Sequence, residues 1–168
     1  MRTIEEIRQL LLELSACTGV SGEEGGIADK IEALLTPVAA CRRTPLGNVI
    51  AVQNPGAPKK LMTAAHMDEV GFLVTHIEEN GFLRVSQVGG VDRKLYASSC
   101  VTVHTAAGPL SGVISSIPPH LRKEEKELPA SDEVAVDLGL SGDRARELVC
   151  PGDRVTIDCE PAVLLDGS

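Results

Sequence analysis

The residues best suited to chemistry are His66 and Asp68, which are separated by a single residue. They follow the nearly uncharged segment 60–65, which predicts a buried strand. Side chains two apart on a strand point to the same side, and open α/β sheets place their chemistry where strands end. A metal-binding imidazole commonly gives its other ring nitrogen to a carboxylate. Taken alone the pair is a weak signal for metal ligation, and a surface histidine beside an acidic turn is the favoured interpretation.

The remaining polar candidates are weaker. Glu69 adjoins the pair, but adjacent strand side chains diverge, so its role stays open. His76 and His104 are interpreted as half-exposed sheet residues, whereas His120 follows two prolines in a predicted loop and is a candidate partner or active-site residue. The sequence has no G-x-S-x-G, and it gives no sign of an electropositive pocket around a cysteine, so a serine or cysteine nucleophile is not predicted.

Two helices are predicted ahead of the pair. Thr3 and Glu6 have the spacing of a capping box and predict a helix over residues 4–16. Ser21 and Glu24 repeat this spacing, which predicts that Ser21 caps a second helix. The glycines around Ser21 lack the pattern of a phosphate-binding loop.

The rest of the chain is predicted to be rich in short strands. An Asn-Gly pair at residues 80–81, between two alternating segments, is a strong hairpin signal. Closely spaced antiparallel strands then predict a small barrel. The predicted strands cover 41–44, 48–53, 70–77, 82–88, 100–105, 110–116 and 154–159, with a short helix over 143–148 capped by Ser141.

Composition limits the possible partners. The 168 residues include 24 acidic and 16 basic side chains, a net charge of −8, and only 2% aromatic residues. With 43% apolar residues the chain is predicted to be globular, and its acidity argues against nucleic acid or anionic membrane as a partner. No run of about 18 apolar residues predicts a membrane span. Five widely spaced cysteines without a C-x-x-C predict reduced, mostly buried thiols and a cytoplasmic location.

Taken in order, several segments resemble the M42 family of metalloaminopeptidases, which includes the glutamyl-aminopeptidase and tetrahedral-aminopeptidase types. The resemblance extends along essentially the whole chain. It rests on a series of motifs rather than on one: TGVSGEE at 18–24, GNVIA at 47–51, AHMDEVGF at 65–72, THI at 75–77, GFL at 81–83, VGG at 88–90, GVI at 112–114, PPHL at 118–121, VDLG at 136–139 and PGD at 151–153.

The resemblance implies an α/β fold in which a barrel domain is inserted into a catalytic domain of the zinc-exopeptidase type. Residues 1–69 would form the N-terminal part of the catalytic domain, 70–160 the antiparallel β-barrel used for dimerisation and assembly, and 161–168 the start of the return. It also implies short peptides as substrates and a homo-oligomer formed through the barrel.

The resemblance further implies two divalent metal ions, zinc or cobalt, that activate a water for attack on the N-terminal peptide bond. His66 matches the first metal ligand, and Asp68 matches the aspartate that orients its imidazole. The bridging aspartate, the general-base glutamate and the remaining ligands come later in the family than Ser168. We therefore expect this chain to bind no metal stably and to be inactive alone. The alternatives are a self-associating barrel module without catalysis, or one half of a split enzyme.

Overall fold

The computed structural model describes residues 3–115 and 134–164. Within these ranges the chain forms three α-helices, eight strands and one 3₁₀ helix. In chain order they are α1 Ile4–Ser15, α2 Gly25–Leu35, β1 Ala40–Arg43, β2 Val49–Val52, β3 Gly71–Ile77, β4 Leu83–Val88, the 3₁₀ helix Arg93–Leu95, β5 Cys100–Thr105, β6 Gly108–Ser115, β7 Ala135–Asp137, α3 Gly142–Leu148 and β8 Arg154–Ile157.

The chain divides into two compact units. The helical unit comprises Met1–Glu69 together with Glu160–Ser168, and the barrel unit comprises Val70–Cys159. None of the helices in the described ranges is long and apolar enough to cross a membrane.

The barrel unit is a closed six-stranded barrel with the strand order β3-β4-β7-β6-β5-β8, and every pairing in it is antiparallel. The predicted small barrel is therefore confirmed. The predicted Asn-Gly hairpin joins β3 to β4, and its Gly81 has a φ of +94° that favours glycine. Ser141 caps α3 as predicted, because its hydroxyl accepts a hydrogen bond from the backbone N–H of Arg144 at 3.4 Å.

The barrel encloses a mainly aliphatic core. Among the described residues, valine makes up most of the buried cluster, in keeping with the preference of β-branched side chains for strands. Two aromatic rings complete it: Phe72 and Tyr96 meet edge to face with centroids 5.4 Å apart. The buried Tyr96 hydroxyl donates to Gln87 Oε1 at 3.0 Å, which satisfies its polar group inside the core.

The helical unit buries much less of its apolar surface. The predicted capping box of α1 is present, since Thr3 and Glu6 bond each other's backbone N–H groups. However, the apolar stripe of this helix is open to solvent, and Ile4 is 80% exposed. Beside α2, strands β1 and β2 form a two-stranded antiparallel sheet, as predicted.

Two predictions for the helical unit are wrong. Residues 60–65 form no strand and are exposed, Leu61 to 92%. A buried strand needs neighbours on both edges, and none pairs with this segment in the part of the chain that the structure describes. Ser21 does not cap α2 either: the N-cap is Glu24, which makes no side-chain capping bond. The Ser21 hydroxyl instead bonds an acidic side chain that is distant in the sequence.

Candidate functional site

The site begins with a tight turn ahead of α2. The backbone N–H of Glu23 donates to the carbonyl of Val20 at 2.8 Å, and Gly22 has a φ of +91°, which suits a turn residue without a Cβ. Val20 is 2% exposed and anchors the turn in the helical unit. Ser21 therefore lies on a short segment whose conformation is fixed on both sides.

A pair of backbone contacts ties this turn to the residues after His66. Gly19 N–H donates to the Glu69 carboxylate at 2.8 Å, and Glu69 N–H donates to the Gly19 carbonyl at 2.8 Å. Val20 and Glu69 also form an isolated parallel bridge. A Cβ at position 19 would lie 2.9 Å from the Ile27 side chain, so glycine permits the close approach. We call the contacts among residues 19, 20 and 69 the Gly19–Glu69 clamp.

The clamp brings Ser21, Asp68 and His66 into one row. Ser21 Oγ donates to Asp68 Oδ2 at 2.5 Å. His66 Nδ1 lies 3.0 Å from the Asp68 backbone carbonyl and 3.3 Å from its Oδ1. The Ser21 hydrogen bond is the main cause that lowers the pKa of Asp68 below its ordinary value, and the neighbouring His66 adds to it. The carboxylate is therefore ionised at neutral pH.

His66 and Asp68 also line a cavity of about 330 Å³ within the helical unit. This size falls in the range of small-molecule sites. The lining combines polar groups with an apolar wall, and its members are Glu24, Ile31, Leu46, Asn48, Val49, Ala65, His66, Met67 and Asp68.

The side chains of this site can supply one ligand to a divalent metal, but not a whole coordination shell. With Nδ1 turned to Asp68, the Nε2 of His66 carries the lone pair that a metal needs. Asp68 already accepts from Ser21, and Glu69 accepts from Gly19. Within residues 3–115 and 134–164, no three His, Cys, Asp or Glu side chains are grouped to hold a metal. A complete site needs ligands beyond those described.

The other predicted polar residues contribute nothing to this row. His120 lies outside the described residues. His76 is exposed on β3, and half-buried His104 bonds Thr156 at 2.9 Å within the barrel unit. The five cysteines are free, but the prediction that most are buried is wrong, because three are exposed: Cys100, Cys150 and Cys159.

The sequence pattern does not reveal the roles of Ser21 and Glu69. It predicts a helix cap at Ser21, because S-x-x-E is the pattern of a capping box. The available signal was the run of glycines on either side, which is typical of a close backbone approach rather than of a helix start. Glu69 gave no such signal, since its partner is a backbone N–H 50 residues away.

Comparison with known proteins identifies the class. The family described as M42 glutamyl aminopeptidase matches residues 47–168. Lysyl aminopeptidase of Pyrococcus furiosus is 39% identical over 138 residues, which are 79% of this chain and 40% of the relative. Glutamyl aminopeptidase of Lactococcus lactis is 27% identical over 164 residues, covering 92% of this chain and 46% of that protein.

Solved structures agree with these sequence matches. A TET aminopeptidase from a marine sediment Thaumarchaeota archaeon superposes with a TM-score of 0.89 at 27% identity, covering 97% of this chain and 47% of that one. The TET1 peptidase of Pyrococcus horikoshii, which can assemble into a tetrahedron or a large octahedral shell, gives 0.78 at 32% identity, covering 94% and 48%.

The matched relatives are aminopeptidases, which are peptide hydrolases. It belongs to the M42 family, as the resemblance of its motifs predicts. The chain spans less than half the length of the relatives and structures named above.

Proposed function

We propose that this chain supplies one part of the active site of an aminopeptidase that removes N-terminal residues from short peptides. His66 would be a metal ligand through Nε2, and Asp68 would orient its imidazole. The observation that carries the proposal is the contact of His66 Nδ1 with Asp68 in a member of the M42 family. A divalent metal such as zinc or cobalt supplies Lewis acidity for peptide hydrolysis when it is bound.

In this proposal the described residues perform three tasks. Asp68 holds the proton on Nδ1 and so keeps the Nε2 lone pair of His66 available. Its carboxylate Oδ1 lies 3.3 Å from the same Nδ1 and helps to hold the ring in this orientation. The cavity beside His66 gives space for part of a peptide substrate.

We also propose that the chain by itself binds no metal tightly and hydrolyses no peptide. A catalytic zinc takes about three protein ligands, whereas the described residues supply His66 alone. The test is release of N-terminal amino acids from aminoacyl substrates by the purified chain, with zinc or cobalt added. We expect no release above the rate without protein. Release that is lost on His66→Ala would contradict the proposal.

A chimera tests the positive part of the proposal. In it, this chain replaces the matched segment of the Pyrococcus furiosus lysyl aminopeptidase. We expect His66→Ala to abolish turnover and Asp68→Asn to lower it about 10- to 100-fold, the usual effect of losing a partner that orients a metal-bound histidine. His76→Ala removes an exposed imidazole from the barrel unit and serves as the matched control. A His66→Ala chimera as active as this control would refute the assignment.

The organisation of the chain is part of the same proposal. The helical unit would belong to a catalytic domain of the zinc-exopeptidase type, the barrel unit would mediate assembly between copies, and the protein would reside in the cytoplasm. The TET1 peptidase of Pyrococcus horikoshii can assemble into a tetrahedron or a large octahedral shell, which supports association between copies. Light scattering of the full 168-residue chain is expected to show an oligomer. A monomer at all concentrations would contradict the proposed assembly.

Two alternatives have separate tests. A self-associating module without catalysis predicts an oligomer together with an inactive chimera. A split enzyme predicts turnover when this chain is mixed with the remaining segment of the Pyrococcus furiosus relative, produced separately.

A further inference from the structure

The row from His66 to Ser21 runs from exposed to half-buried. The His66 side chain is 86% exposed, so packing does not fix its ring, and among the described residues its orienting contacts are those with Asp68. The Asp68 side chain is itself 38% exposed. What fixes Asp68 must therefore come from a more rigid part of the molecule.

Ser21 is placed to fix it. Among the described residues, two side chains contact different oxygens of the Asp68 carboxylate: Ser21 donates to Oδ2, and His66 Nδ1 lies 3.3 Å from Oδ1. The same Nδ1 is 3.0 Å from the Asp68 backbone carbonyl, so the ring is held by both groups of Asp68. Ser21 holds Oδ2, which turns Oδ1 toward His66 Nδ1. Ser21 is followed by Gly22 in the tight turn and preceded by buried Val20, so its own position is well determined.

The Gly19–Glu69 clamp sets the distance between the Ser21 hydroxyl and the Asp68 carboxylate. Its two hydrogen bonds, one between backbone groups and one from the Gly19 N–H to the Glu69 carboxylate, hold the turn against the residue next to Asp68. The serine hydroxyl therefore meets the carboxylate across a gap that the backbone has already closed. Little conformational entropy remains to be lost, which favours a well-populated hydrogen bond.

We propose that Ser21 is a positioning residue for the aminopeptidase site: its hydroxyl fixes the Asp68 carboxylate, which in turn fixes the ring and the tautomer of His66. The proposal rests on the proposed role of His66 as a ligand. It concerns the orientation of the imidazole, and Ser21 touches neither substrate nor metal in it. Glu69 takes part in the same arrangement through its side chain, since its carboxylate accepts a hydrogen bond from the Gly19 backbone N–H.

The experiment measures the ring tautomer of His66 in the full 168-residue chain without metal. Long-range ¹H–¹⁵N spectra distinguish the Nδ1–H form from the Nε2–H form at one fixed pH of about 8.5, where an ordinary imidazole is neutral. The signals are assigned by their loss in His66→Asn. The variants are Ser21→Ala, which removes the hydroxyl, and Ser21→Thr, which keeps it. Thr18→Ala removes an exposed hydroxyl from the same loop and is the control.

We expect the Nδ1–H form to predominate in the natural chain, in Ser21→Thr and in Thr18→Ala. In Ser21→Ala the ratio of Nδ1–H to Nε2–H should fall about three- to tenfold, the change that one hydrogen bond of ordinary net strength sustains. An unchanged ratio in Ser21→Ala would overturn the proposal. Loss of the dispersed amide signals of the helical unit in that variant would also count against it, because the serine would then act in folding.

A double-mutant cycle separates positioning from a general structural role. If Ser21 acts through Asp68, adding Ser21→Ala to Asp68→Asn leaves the tautomer ratio unchanged. A further threefold or larger drop in the double variant would refute that route. Because the tautomer is read without metal or substrate, this result does not depend on turnover. Failure of the proposed function would show instead as a His66→Ala chimera that keeps its activity.

Discussion

The substitution Gly81→Ala is expected to destabilise the barrel unit strongly. Gly81 lies in the β3–β4 turn, where its N–H donates to the Glu78 carbonyl at 3.1 Å and its φ is +94°. An added Cβ would overlap the carbonyl oxygen of Leu140 and lie 2.9 Å from its carbon. The Cβ is fixed by the backbone at position 81 and its neighbours are backbone atoms, so no side-chain rotation can relieve the contact.

Two independent costs set the magnitude. A residue with a Cβ held in an unfavourable φ region costs about 1–3 kcal/mol. Overpacking costs about another 1–3 kcal/mol. The alanine also restricts the unfolded chain, which returns about 0.4–1 kcal/mol. The expected net loss is about 1–5.6 kcal/mol, and its middle, about 3 kcal/mol, is a large part of the 5–15 kcal/mol typical of a folded domain.

Three other glycines separate these costs. Gly142→Ala brings only the contact, since its Cβ would overlap the Glu79 carbonyl oxygen and lie 2.8 Å from that carbon; we expect a loss of about 1–3 kcal/mol. Gly139→Ala brings only the backbone cost, because φ is +66° and the space is open; about 1–2 kcal/mol is expected. Gly90→Ala brings neither and is the matched control, with a change between zero and a gain of about 1 kcal/mol.

The assay is urea denaturation followed by near-ultraviolet circular dichroism. Tyr96 is the one tyrosine of the chain and there is no tryptophan, so the tyrosine signal reports on the barrel core in which this ring is buried. The free energies of unfolding should rank Gly81→Ala lowest, then Gly142→Ala and Gly139→Ala, then Gly90→Ala. A Gly81→Ala protein as stable as Gly90→Ala would refute the close packing of the hairpin turn on the residues that precede α3.

Four further predictions concern the two units separately. Tyr96→Phe leaves Gln87 without its hydroxyl partner and should cost the barrel about 1 kcal/mol by the same assay, whereas Leu83→Ala, which opens a cavity at a fully buried position, should cost about 2–5 kcal/mol. Thr3→Ala removes the capping box and should weaken α1 by about 1 kcal/mol, seen as lost helicity. Amide exchange should be faster in α1 than in β3 and β5, and stronger protection in α1 would contradict the small buried area of the helical unit.

The barrel was predictable because its signals are local. Alternation along β3 and β4, together with the Asn-Gly turn, determines a hairpin from one continuous stretch of chain, residues 71–88. The buried positions of β3 follow the same two-residue period until the bulge between Val74 and His76. Such patterns do not depend on any distant part of the chain.

Residues 60–65 and Ser21 were harder to place for the opposite reason. The composition of 60–65 suits a strand with neighbours on both edges, but a sequence pattern does not state whether such neighbours exist. In the described residues it has none, and the segment is exposed. Ser21 has two possible partners, a local helix start and an aspartate 47 residues away. Only the fold decides between them, because the flanking glycines permit a close backbone approach but do not identify its distant partner.

These two errors bear on the same site. His66 directly follows a segment that no strand pairs with among the described residues, so the strand register that the sequence suggested does not hold its imidazole. The contacts that do hold it come from the other side, through Asp68, Ser21 and the Gly19–Glu69 clamp. In this chain the orientation of His66 therefore depends on one turn and a few hydrogen bonds. We therefore expect the Ser21 hydroxyl in that turn to have a large effect on the site, because few other contacts among the described residues constrain the His66 ring.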